Sequence, residues 1–193
     1  MRTFVYFSQS ARTSGNFDVN SLMDAGRLDI AMHVIINAFF LSHNLREDID
    51  LHMVFYGMPD PPKHIEMKVV KETSLSKKNV ASLIKKILYK YKKGQKTEAF
   101  PGCFVEKKSF LQVIEELIEE GKTIFILDKS GESIREADIP ENSAFVLGDQ
   151  NGLPQKELKR LRRMAETISV GPRIYFASQV VTILNNELDL RGF

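Results

Sequence analysis

Apolar runs alternate along this chain with segments whose apolar positions recur every three or four residues. Residues 2–8 (RTFVYFS) are aromatic and β-branched and predict a strand. After a polar loop, QSARTSGNFDVNS, the segment 24–45 sets Leu28, Ala31, Met32, Ile35, Ile36 and Phe39 at helical spacing. A strand is expected at 50–57, a turn at the proline-rich MPDPPK, and an alternating strand at 64–70. A helix over 76–93 opens on Ser76 and shows Val80, Leu83, Ile84, Ile87, Leu88 and Tyr91 on one face.

The second half repeats more regularly. An amphipathic helix over 109–122 has Gly121 as its stop. The short apolar run 123–128 (TIFILD) is followed by another at 144–149 (AFVLGD), a helix over 154–164 that starts on proline, a strand at 166–171 (ETISVG) and a closing helix over 176–190. Continuous apolar strands alternating with helices predict an α/β fold, a mostly parallel sheet with helices on both faces. Ligands of such sheets bind beyond the strand C-termini. Three predicted ends, Leu127–Asp128, Gly148–Asp149 and Ser169–Gly171, meet there.

Composition narrows the function. With 193 residues and 43% hydrophobic content the chain suits one core, read as a single domain over 1–193 with a lysine-rich helical excursion over 70–108. The net charge of +2 gives no bulk attraction for nucleic acid, so charge placement matters instead. Cys103 is the only cysteine, which excludes an internal disulfide and a cysteine-based zinc site and suggests a cytoplasmic protein. The N-terminus lacks an apolar signal core, and the longest apolar run, 30–41, is too short to span a bilayer.

Between the strand at 144–149 and the next helix lies GDQNGLP (148–154). It is neither a Walker A loop, since Leu153 follows Gly152, nor a dinucleotide loop. A tight turn is the plain explanation. A second strand, however, also ends in a small-residue, glycine-containing loop, ISVGP (168–172). Two bare loops beside FILD can clasp a flat heterocycle through main-chain groups, as adenine and a ribose require.

FVLGDQNGLP followed by ISVGPRIYFASQVVTILNNELD resembles the C-terminal motifs of the SPOUT methyltransferases, and more narrowly the TrmY family of tRNA pseudouridine-54 N1-methyltransferases. MRTFVYF, AGRLDIAMHVIINAFFLSHNLREDI and VFYGMPDPPKHI match the same family; the match is weakest over 70–108. The resemblance implies a C-terminal trefoil knot, a homodimer with a shared active site, and S-adenosylmethionine held by the knot loops. Carried over by position, the cofactor contacts are Leu127, Gly148, Ile168, Ser169, Val170 and Gly171, flanked by Phe176 and Val180. In many relatives a cysteine stands where Val180 stands, so a thiol role at that position does not carry over.

N1 methylation of pseudouridine needs no metal, because a sulfonium is already a good leaving group; the protein must align the atoms and help the N1 proton leave. GRLDIAMH offers Arg27, Asp29 and His33. Asp29 and His33 share a helix face. Asp29 has a catalytic or substrate role, or simply complements the helix dipole. Arg27 can pair with a phosphate, base oxygens or Asp29. His33 reads first as a core histidine, and Asp149 first as a cap for the helix at 154 and second as a support for its loop.

A tRNA base must be flipped to reach such a pocket, at a cost of about a few kcal/mol that phosphate contacts can offset. The segment 77–96 holds eight lysines and no acid, and 156–163 has five basic residues against one acid. Lys85, Lys86, Lys92, Lys93 and Arg160, with Arg12 in the first loop, are the RNA-contact candidates; the alternative is a solvated helix face. Tyr89 or Tyr91 can stack on a base, Tyr91 fitting the core face better. Methylation of another RNA position, a knotted RNA-binding protein without catalysis, and an unrelated nucleotide-binding enzyme are the rival readings.

Overall fold

The structure, a computed structural model, describes residues 1–71 and 75–193; part of the lysine-rich stretch expected over 70–108 thus lies outside the described residues. β1 (Arg2–Ser8) is central, with all seven residues buried. It pairs in parallel with β2 (Ile49–Phe55) on one side and with β7 (Ser143–Gly148) on the other. β6 (Thr123–Ser133) pairs in parallel with β7 and with β8 (Glu166–Ser169). On the far side β3 (Lys63–Lys68), β5 (Cys103–Glu106) and β4 (Thr97–Phe100) add antiparallel strands. The order is β4-β5-β3-β2-β1-β7-β6-β8. The mostly parallel α/β sheet expected from the apolar runs is what forms.

Both faces are covered, which is why the central strands are apolar at every position. Phe4 and Tyr6 join the layer that contains α1 (Leu28–Phe39), α2 (Val80–Tyr89) and α5 (Ala177–Leu190). Val5 and Phe7 join the opposite layer, against α3 (Phe110–Glu119) and α4 (Gln155–Leu161). Ser109 and Gln112 form a capping box at the head of α3, and Gly121 at φ 82° stops it, as its position predicts.

The differences from expectation are local. The helix expected over 24–45 starts only at Leu28, because Gly26 (φ 71°) and Arg27 (φ 64°) are left-handed. The region 97–106, read as part of a helical excursion, is a hairpin whose short strands alternate too briefly to register as a period. Pro154 precedes α4 as its cap residue rather than lying in its first turn. β6 runs on beyond Asp128: Leu127 pairs with Ile168, then Glu132 pairs with the same residue, and the Ile134 N–H donates to the Ser169 carbonyl at 2.8 Å. The segment 128–133 thus curls around the end of β8. Gly131 permits this, since a Cβ there would lie 2.6 Å from the Ile168 backbone. The C-terminal ends of the five parallel strands share one edge, and the functional cleft opens there.

Candidate active site

A cleft of about 600 Å³ opens beyond the ends of β6, β7 and β8. Leu127, Gly148, Ser169, Val170, Gly171, Phe176 and Val180 line it, so three loops far apart in sequence meet as expected. Ile168 does not line it; it is buried in the core beneath, with its backbone paired to β6 on both sides. Phe176 is 74% exposed and stands at the mouth.

The loop after β7 is shaped by close backbone approach. A Cβ on Gly148 would lie 2.5 Å from the Gly152 carbonyl carbon, so only glycine lets the strand end and the loop pack together. Asp149 does not cap α4, contrary to its first reading. Its Oδ2 accepts from the Ser8 hydroxyl at 2.6 Å, and its Oδ1 accepts from the Asn151 N–H at 2.8 Å. α4 has no side-chain cap. Asp149 instead ties the loop to the end of β1, its backbone N–H donating to the Phe7 carbonyl. In the loop after β8, the Ser169 hydroxyl donates to the Gly171 carbonyl at 2.8 Å and accepts from the Gly171 N–H at 3.2 Å.

Arg27 enters from the head of α1. Its Nε and Nη2 donate to the two oxygens of Asp29, each at 3.0 Å. Arg27 lines the cleft together with Ile30 of the same helix. The fork holds the Asp29 carboxyl below the usual carboxylate range and Arg27 above its ordinary value. A carboxylate so held is a weak base and a firm anchor for the guanidinium. Tyr6 lies buried below, beside the Ser8 hydroxyl that Asp149 engages. Burial, and then the charge of Asp149, push its pKa far above the ordinary tyrosine value, so it stays protonated. His33 is exposed on α1, not a core histidine; the apolar neighbours in its sequence lie on the other face of the helix.

The RNA candidates divide. Lys85 is occupied structurally: its ammonium donates to the Phe17 carbonyl at 2.6 Å and lies over the Phe17 ring, fixing the first loop to α2. Arg160 is paired with Glu115 of α3. Lys86, Lys92 and Lys93 are exposed, and Arg12 is half-buried with its Nε partnerless among the described residues. Tyr89 covers Gly15, and Tyr91 packs on the core beneath the Lys63 ammonium. Lys129, Arg173 and Tyr175 also line the cleft but escaped sequence reasoning. Their only signal was adjacency to the small-residue loops, beside FILD and VGP.

The comparisons with known proteins agree with this geometry. A family model described as "Putative SAM-dependent RNA methyltransferase" matches residues 1–193. A tRNA (pseudouridine(54)-N(1))-methyltransferase of Methanococcoides burtonii is 34% identical, over 98% of this chain and 96% of its own. The protein of the same name from Methanocaldococcus jannaschii is 33% identical, over 98% and 97%. Among solved structures, Archaeoglobus fulgidus Nep1 bound to S-adenosylhomocysteine superposes with a TM-score of 0.64 at 14% identity, covering 100% of this chain and 99% of that one, a likeness of fold. Matched over its whole length by that family model and by relatives of its own size, the chain belongs to the family of SAM-dependent RNA methyltransferases.

Proposed function

We propose that this protein methylates N1 of pseudouridine 54 in the T-loop of tRNA, with S-adenosylmethionine as the methyl donor. The relatives named for that activity support the substrate. The observation that carries the reading is the cleft itself, with the Arg27–Asp29 fork on its wall.

The cleft fits the cofactor. Its volume of about 600 Å³ falls in the range of roughly 300–1,000 Å³ usual for such ligands. Glycines at 148, 152 and 171 contribute to its lining, and the tight packing of Gly148 on Gly152 leaves no room for a side chain at Gly148. Leu127, Gly148, Ser169, Val170 and Gly171 would hold the adenosine end through backbone groups, with Val180 as an apolar wall. When bound, S-adenosylmethionine supplies a methyl group on a sulfonium.

The chain's own residues orient the base, and its N1 proton passes to solvent water. Asp29 engages Nε and Nη2 of Arg27 and leaves Nη1 outside the fork. Arg27 then offers Nη1 to a carbonyl oxygen of the base, where negative charge collects as N1 loses its proton. Asp29 acts by holding Arg27, since its depressed pKa makes it a poor proton acceptor.

Two further features belong to this reading. The first is a trefoil knot in which the C-terminal segment passes through the loop formed by β6; the pairing of Ile168 with both Leu127 and Glu132 supports it. The second is a homodimer that completes the site, supported by Ile174 and Phe176, apolar and exposed at the cleft mouth. The test is mass spectrometry of nucleosides from pseudouridine-bearing tRNA incubated with the protein and S-adenosylmethionine. The expected product is N1-methylpseudouridine; an unchanged nucleoside profile contradicts the reading.

A further inference from the structure

Several cations here are held beside acids. Lys63 and Lys107 share Asp60, Lys68 and Lys96 share Glu66, Lys108 sits between Glu106 and Glu116, and Arg46 pairs with Asp189. Two cations at the cleft mouth have no such partner. Lys129, from the irregular stretch of β6, and Arg173, from the loop after β8, line it exposed, with no ion pair among the described residues. Arg162, at the end of α4, does not itself line the cleft but reaches Asp128, which does; its side chain is 53% exposed and pairs with that carboxylate at 3.6 Å. Of the acids nearby, Asp128 meets only Arg162: its Oδ1 accepts from the backbone N–H and hydroxyl of Ser130 and its Oδ2 faces Arg162, while Asp149 is buried against Ser8.

We propose that Lys129, Arg162 and Arg173 form a phosphate-binding rim that receives the RNA backbone flanking the target base. The inference rests on the RNA methyltransferase reading and assigns its substrate contacts. Lys129 and Arg173 line the opening through which a base must enter, and Arg162 approaches it through Asp128. Lys129 and Arg173 can give up solvent to phosphate oxygens without first breaking an ion pair, and Arg162 has only a long, solvent-exposed pair to exchange. The exposed lysines Lys86, on α2, and Lys92 and Lys93, just after it, are equally basic, but α2 packs on α1 and on the β4–β5 hairpin, and none of the three lysines lines the cleft. Backbone contacts near the flipped nucleotide help offset the unstacking cost, while distant ones only raise general affinity.

The test is the salt dependence of tRNA binding, measured by fluorescence anisotropy without methyl donor. Each phosphate contact contributes about 0.7 to 0.9 to the slope of log affinity against log salt. The triple variant Lys129→Ala, Arg162→Ala, Arg173→Ala is expected to lower that slope by about 2 to 3 units. The triple Lys86→Ala, Lys92→Ala, Lys93→Ala is expected to lower it by less than about one unit. The variant Arg162→Lys, Arg173→Lys keeps the slope, because a phosphate accepts either cation, which separates charge from any structural role of the guanidinium groups. Thermal unfolding of each variant checks that it is folded. A rim variant with the wild-type slope, or a Lys86/Lys92/Lys93 variant that loses as much, overturns the proposal. If wild-type protein still methylates tRNA in that case, the enzymatic reading stands and the rim assignment alone falls.

Discussion

Arg27 is the one residue other than glycine with positive φ among the described residues, at the point where α1 begins and the cleft opens. Such a conformation costs about 1–2 kcal/mol and persists only where the surroundings enforce it. Here the fork with Asp29 fixes the side chain that the backbone has turned toward the cleft. In the proposed reaction Asp29→Asn loosens Arg27 without touching the cofactor wall. Turnover should then fall about tenfold or more, while affinity for S-adenosylmethionine changes by less than about twofold. Single-turnover rates and calorimetric titration measure the two quantities; turnover at the wild-type level would leave Asp29 a helix-end residue only. Gly148→Ala tests the bare wall. Its Cβ would meet the Gly152 backbone at 2.5 Å, so the loop must shift. A loss of about 1–3 kcal/mol is expected, seen as a Tm lower by several degrees, together with weakened cofactor binding.

At the level of elements, β2, β3 and β5 carry a buried polar ladder. His52 Nδ1 and His64 Nε2 are 2.9 Å apart with stacked rings, and His64 Nδ1 is 3.1 Å from Glu106. Burial lowers the His64 pKa to about 4 despite that carboxylate. The unfolded chain therefore binds a proton at this residue from about pH 6.5 downward while the folded chain does not. Stability from this site is complete above that pH and is lost as pH falls toward 4. Thermal melts should show Tm falling across this window, and His64→Gln should flatten the fall; an unchanged profile would contradict the assignment. This ladder, and the hairpin beside it, are not legible in the sequence. The hairpin strands are four residues each and half-exposed, so their apolar alternation is too short to distinguish from a loop. The central strands are legible because burial on both faces requires an unbroken apolar run. The glycine loops at the cleft are legible for a similar reason, since only a close backbone approach asks for them. Asp149 misleads because its partner, Ser8, lies 141 residues away, and no local pattern can report that bond.

Across the whole molecule, one edge of one sheet gathers the cleft loops, the Arg27–Asp29 fork and the basic rim. The net charge of +2 gives no hint of the unpaired Lys129 and Arg173 at this opening. The proposed dimer would cover Ile174 and Phe176; sedimentation at micromolar concentration should give twice the chain mass of 22.0 kDa, and a persistent monomer would remove the shared site from the proposal. The chemistry itself turns on a single hydrogen. Pseudouridine has a free N1–H and uridine does not, so a site built to methylate N1 has nothing to act on in uridine. The most direct measurement is the rate of methyl transfer from S-adenosylmethionine to two tRNA transcripts that differ only at position 54. Transfer to the pseudouridine transcript with none to the uridine transcript is the expected result, and equal transfer to both would contradict the proposed function.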